Sequence, residues 1–416
     1  MVVMALAGHF RSHLPWLGRV SVQPVVEEAP DDVLQVALGD HRTSPSPALA
    51  RAMTLPVPDP AAEQTLRDTQ FELGQNLARQ ERWKTLAQAL SEVDQNREKT
   101  LCGTPYAALI ALGARADIVM MARDTLSNGE APDPEIVNAG VHELETILNE
   151  YADEPYVAAI LALTHIDVGA AWKENARQVM RPRKAEARFA AHIERAAELL
   201  DPIDAREIGS PLIASAKCAL KAGGDLPASE ILEPFEVWID LDPRDMEPYR
   251  RLGHLLLSGR QSNRTLLERT ARQLAARTAD VWGAGAYAFV LMDAAATDVL
   301  VLGMLDATLF VDGLRNALRL GADPYIANML AAYCGCRMNL GRLQNEAAFM
   351  NQREIATSID WIVRDHLRQV HPLVWAEASA QLDEEGSAEH VVANGYAEAL
   401  RVLSDVFRRE PSLNPV

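Results

Sequence analysis

The chain has 416 residues, 48% of them hydrophobic and 24% charged, which suits two or three globular domains or one long repeat array and excludes wholesale disorder. Its 40 basic and 58 acidic residues leave a formal charge of −18. Such a surface repels phosphate backbones and anionic lipid, so binding of nucleic acid or of a membrane is not expected.

In chain order, residues 1–59 read as an irregular N-terminal arm. The opening "MVVMALAGHF" is apolar but short and lacks the early positive charge of a signal peptide. "SPSPALA" and "LPVPDPAA" are proline joints that helices do not accommodate. From Pro60 onward apolar residues recur at three and four, and alternation of the strand type never persists. The spacing predicts helices over 60–79, 82–98, 105–127, 134–151, 155–180, 183–200, 204–222, 227–240, 246–258, 262–276, 279–295, 298–320, 323–339, 342–369, 371–382 and 387–409. Pro105, Pro134, Pro155, Pro248 and Pro324 stand near helix starts, where the missing amide costs no hydrogen bond. Thr104, Asp133 and Asp323 are placed to cap. The fold class expected is all-α, an array of antiparallel helical hairpins over 60–416 with a sub-boundary near 200–226.

Residues 281–311 are long and apolar, but Asp293, Asp298 and Asp306 interrupt them. Buried helices account for this better than a membrane span, and an interface between copies of the chain is a second destination for the same surface. Cys102, Cys218, Cys334 and Cys336 show neither disulfide nor zinc spacing, which suits a reducing compartment. We expect a soluble, cytoplasmic protein.

"FELGQNLARQERWKTLAQALSEV" at 71–93 resembles a tetratricopeptide repeat. Leu73, Gly74 and Leu77 fit the first helix, and Trp83 and Leu90 the second, while Leu86 stands where that pattern has a small residue. Pro243, Tyr249, Leu252, Gly253 and Leu256 repeat part of it, and Tyr325 and Ala348 a smaller part. Four of the eight tyrosines, Tyr106, Tyr156, Tyr249 and Tyr325, follow a proline at intervals of 50, 93 and 76 residues, none a multiple of the repeat length. We read these tyrosines as rings that pack one hairpin on the last, in preference to contact residues of a groove. The resemblance implies an irregular α-solenoid whose concave face holds a protein or peptide partner. In that frame His165, Arg250, His254 and Tyr333 fall on the groove-lining face.

Catalytic motifs are missing, and no catalytic residue, metal ligand or cofactor is assigned. "VHELE" at 141–145 begins like a zinc-protease helix, but Thr146 stands where a second histidine is needed. His366 and His371 lie about 140° apart on a helix, too far round for joint ligation. Cys334 and Cys336 fall nearly opposite one another. "ARQVMRPRKAEARFAAHIER" at 176–195 concentrates positive charge in an acidic chain. Lys184, Arg188, His192 and Arg195 line one flank of its apolar stripe. Charge runs of this kind are usually solvated faces paired with acidic neighbours; the functional alternative is a dock for an acidic partner or an anion, at Lys184, Arg188 and Arg195. The expected role is a non-catalytic scaffold or adaptor. The alternatives are a helical enzyme using His142, Glu143, His165 or His254, and a small-ligand or anion sensor.

Overall fold

Proline opens many of the helices, as its fixed φ and missing amide favour. Pro155, Pro211, Pro324 and Pro372 each occupy a first helical position. The side chains of Asp133, Asp298 and Asp323 accept the orphan amides of the turns they precede. The computed structural model describes residues 46–127, 133–179, 182–221, 228–258, 263–321, 323–339, 341–379 and 388–409, and among these no strand forms.

The chain divides into two compact units. One, N-proximal, takes Glu63–Pro248 with Gly259–Gln261; the other, C-proximal, takes Met1–Ala62, Tyr249–Ser258 and Ser262–Val416. In chain order the helices begin with Pro47–Ala52 (α1), Pro60–Arg79 (α2), Trp83–Gln95 (α3), Tyr106–Ser127 (α4), Pro134–Val137 (α5) and Ala139–Glu150 (α6). Pro155–Val179 (α7), Pro182–Leu200 (α8), Ala205–Ile208 (α9), Pro211–Lys221 (α10) and Ala228–Leu241 (α11) follow. Next come Glu247–Ser258 (α12), Arg264–Arg277 (α13), Ala279–Trp282 (α14), Gly285–Thr297 (α15), Val299–Met304 (α16) and Ala307–Gly321 (α17). Pro324–Ala332 (α18), Glu346–Thr357 (α19), Ile359–Trp361 (α20), Pro372–Ala378 (α21) and Ala388–Arg408 (α22) complete the series, with π turns at Tyr333–Arg337 and Ile362–His366.

In the N-proximal unit, α2 and α4 touch backbone to backbone. A Cβ placed on Gly74 would lie 1.9 Å from the Ile110 carbonyl oxygen, and one on Gly113 the same distance from that of Phe71. Gly74 therefore does admit a second helix, but the helix is α4, one beyond its hairpin partner α3. Behind this crossing α4 packs on α7, α7 pairs along its length with α8, and α10 packs against both. Asp94, at the end of α3, fastens the layers: it accepts the Tyr156 hydroxyl at 3.2 Å, the Leu212 amide at 3.1 Å and the Ser210 hydroxyl. Tyr156 is thus both a packed ring and a hydrogen-bond donor between helices. Residues 155–174 are apolar and long enough to cross a membrane, but 83% of that window is buried inside the unit. Neighbouring helices cover the apolar surface, as in the core helix of a globular protein.

In the C-proximal unit the same device recurs. A Cβ on Gly253 of α12 would lie 1.9 Å from the Val290 carbonyl oxygen of α15. Helix α15 is buried along nearly its whole length between α13, α16 and α17. Tyr249 and Tyr325 are buried, and Tyr106 of the other unit is half-buried. Helix α1 packs on α22, with Arg51 over the Phe407 ring at 4.5 Å, and Pro56 accepts the Val370 amide at 2.8 Å. The described end of the N-terminal arm is thus bound to this unit; residues 1–45 lie outside the described residues.

Several expected helices are interrupted, each for a local reason. The run over 279–295 breaks at Gly283, whose φ of 57° and crowding against Asn316 leave no room for a side chain. The run over 298–320 breaks where Leu305 is extended and the Asp306 carboxylate accepts the Leu309 amide. The run over 204–222 breaks at left-handed Gly209, after which the Ser210 hydroxyl accepts the Ile213 amide of α10.

Asn328 shows how such a core is kept satisfied. It is fully buried, donates to the carbonyls of Pro324 and Gln369 at 2.9 Å, and accepts the His371 amide and Trp375 Nε1, also at 2.9 Å. All four hydrogen-bonding positions of the amide are used. We predict that Asn328→Leu costs about 3 kcal/mol, because it leaves the Gln369, His371 and Trp375 groups buried without this partner. Urea unfolding of the full chain, followed by tryptophan fluorescence, checks this.

Candidate functional site

Helices α6, α7 and α8 bring four ionisable side chains into one line. Arg195 grips Glu145 with two parallel bonds of 2.8 Å, through Nε and Nη2, and reaches Glu198 with Nη1 at 2.8 Å. Glu145 Oε1, the oxygen that accepts Arg195 Nε, also meets His165 Nε2 at 3.1 Å. His165 Nδ1 faces His192 Nδ1 at 3.0 Å, with the rings 5.2 Å apart. Gly169 makes the room: a Cβ there would lie 3.0 Å from the His192 Cβ. The tautomers follow from the acceptor at the end of the line. A carboxylate only accepts, so His165 Nε2 carries a proton and donates; in the neutral ring Nδ1 must then accept, and His192 Nδ1–H donates to it.

Electrostatics agree with a neutral pair. Burial lowers the His192 pKa from 6.5 to about 4, helped by His165, Arg188 and His142. Burial also lowers that of His165, against the opposing pull of Glu145. The Arg195 hydrogen bond holds the Glu145 carboxyl below its usual range.

The outer edge of α8 differs. Arg183, Lys184 and Arg188 are exposed, and none makes an ion pair with another described residue. The basic segment therefore divides. Arg195 pairs with acidic neighbours, as charge runs usually do, whereas Lys184 and Arg188 face water. The side chains of Arg177 and Arg181 lie outside the described residues.

The groove residues expected from sequence separate by unit. His165 belongs to the relay just described and is 6% exposed. Arg250, His254 and Tyr333 gather near Asp293 in the C-proximal unit. Arg250 binds that carboxylate with Nε at 2.8 Å and Nη2 at 3.0 Å. Burial pushes the Asp293 carboxyl up, but Arg250, with Arg337 and His254 behind it, outweighs this and holds it below its usual range. Tyr333 is buried, stacks on Phe310 and donates to the Met292 carbonyl at 2.9 Å; His254 is exposed. His142 and Glu143 are exposed, and Glu145, two residues on, is the member of "VHELE" that reaches a histidine. Among the described residues no three His, Cys, Asp or Glu side chains are placed to hold a metal ion together.

Sequence reasoning missed two further clusters. Glu63, buried in α2, accepts the Thr100 hydroxyl, the Cys102 amide and Arg67. Lys99 Nζ lies 2.7 Å from Asp242 Oδ2, and Asp245 is buried beside them. No motif marks such residues; their one signal is an acidic residue next to a helix start, as Asp245 is to Glu247. On the C-proximal unit, α16 and α19 pack together and expose Val299, Leu300, Met304 and Met350. Comparison with protein-family models, curated proteins and solved structures finds no match in any of the three.

Burial raises the Asp245 pKa from 3.8 to about 6, with Lys99 opposing and Asp242 assisting. A carboxyl raised on folding binds its proton more tightly in the folded state, so stability falls as pH rises from about 4 to about 6. We predict that Asp245→Asn, which keeps the acceptor for the Glu247 amide, removes this fall and raises the melting temperature at pH 7.5 but not at pH 3.5. Melting curves of the two proteins at both pH values check it.

Proposed function

We propose that the chain is a non-catalytic scaffold or adaptor, built from tetratricopeptide-like helical hairpins, that holds an acidic segment of a partner protein. The observation that carries this reading is the edge of α8, where Arg183, Lys184 and Arg188 are exposed and form no ion pair with a described residue. In a chain of formal charge −18, a run of cations facing water is a local attractive field within a repulsive one. Such an arrangement favours one kind of partner and disfavours most others, which is how charge gives specificity. Arg195 stands on the same flank, and its two carboxylates fix it as the inner boundary of the stripe.

The helical setting supports the same reading. Helices that cross at Gly74, Gly113 and Gly253 come close enough to form continuous packed layers. Arrays of packed helices present extended surfaces, suited to a peptide more than to a small molecule. Arg250 and His254 offer a further polar contact surface on the C-proximal unit.

The test is binding of a labelled glutamate-rich peptide, and capture from native extract, at low and high salt. We predict salt-sensitive binding that weakens about tenfold or more in the double variant Lys184→Glu/Arg188→Glu, because two attractions become repulsions. Binding that survives both the reversal and high salt would exclude this face as the dock.

A further inference from the structure

We propose that His165 and His192 form an acid-operated latch between α7 and α8, closed while one proton lies between their Nδ1 atoms and open once each ring carries its own. The inference goes beyond the binding role and does not depend on it.

The geometry sets the rule. Two imidazole nitrogens 3.0 Å apart are held by a single proton, donated by one and accepted by the other. With both rings neutral, His192 donates, His165 accepts, and His165 Nε2–H donates to Glu145. Adding one proton to His192 at Nε2 leaves this bond intact but buries a charge. Adding the second removes the last acceptor: two N–H groups then point at one another, and two positive charges share a buried site. At that separation neither the hydrogen bond nor the contact survives. The tight approach at Gly169 leaves the rings little room to turn aside while α7 and α8 stay packed.

The surroundings do not cancel this repulsion. From α6 the pair is faced by Glu145 and His142, and from α8 by Arg188 and Arg195, the latter also bound to Glu198. Among the described residues Glu145 is the one carboxylate in contact with the rings, and Arg195 already holds both its oxygens. From α4 the nearest cations are Arg115 and Arg123, which act on Asp167. Asp167 is two residues from His165 and so about 200° round α7, on another face. Asp94 of α3 is committed to Tyr156, Ser210 and Leu212. Lys173 of α7 lies over the Phe189 ring and adds positive charge to the same helix pair.

The sign of the effect follows. Both histidines titrate lower in the closed state than in an opened one, so the opened state takes up protons first. Closure is complete above about pH 6.5 and weakens as pH falls towards about 4, the value for His192 when closed.

Hydrogen exchange of the full chain tests it, read as protection factors so that the intrinsic pH dependence of exchange is removed. Between pH 7.5 and 4.5 we expect protection in residues 155–200 to fall on the order of 50-fold, the factor for one group moving from 6.5 to about 4. Helices of the C-proximal unit should change far less. In His192→Gln, where the side chain still donates but does not titrate, the fall should shrink to the part that His165 alone contributes. Nitrogen NMR of the wild-type imidazoles reads the same device without a variant: His192 protonated at Nδ1, His165 at Nε2, and neither titrating near 6.5. Either a uniform loss of protection across both units or a pair that titrates near 6.5 with both rings protonated at Nε2 overturns the latch.

Discussion

Several helix contacts among the described residues turn on one constraint: a polar group taken from water between helices is costly unless it finds a partner there. Asp94 meets Tyr156, Ser210 and Leu212; Glu63 meets Arg67, Thr100 and Cys102; Asn328 uses all four of its positions. Apolar contact between Ala- and Leu-rich helices is tolerant of sliding, since one small side chain substitutes for another. Polar knots are not tolerant, because a slip of one residue would strand a buried carboxylate or amide. They fix which helices touch and at what height. The bare-backbone crossings at Gly74, Gly113 and Gly253 supply closeness, and the knots supply register.

This division explains what the sequence made legible. Helical periodicity located the long elements, and the helix expected over 60–79 is α2, Pro60–Arg79. Proline and the capping acids marked many starts correctly, because those signals act within one turn. Tyr156, Tyr249 and Tyr325 are buried where packing rings were expected. The helix breaks were harder. Gly283 looks like any glycine in an apolar run until Asn316, far along the chain, occupies the space beside it. Ser210 and Asp94 are separated by 116 residues, and no local pattern pairs them. His165 stood out as an ionisable group in an apolar helix, but its partners Glu145 and His192 lie on two other helices. Periodicity reports which face of a helix is apolar; it does not report which neighbour that face will meet.

The same constraint sorts the charged residues by use. Buried or half-buried charges, such as Asp293 with Arg250 and Asp167 with Arg115, are matched with one another and hold helices together. Arg183, Lys184 and Arg188 stand outside this matching among the described residues, on the helix that also carries His192 of the histidine pair. On the proposed reading, this stripe is the contact surface and its positive sign is what favours an acidic partner. Placing that stripe on α8 also sets it on the helix that the latch would loosen in acid.

The central claim is that this outer edge of α8 receives the partner. Hydrogen–deuterium exchange of the full chain, with and without a saturating glutamate-rich peptide, tests it most directly. The account predicts added protection in α8, centred on residues 183–195. Protection confined to other helices, with α8 unchanged at saturation, would contradict it.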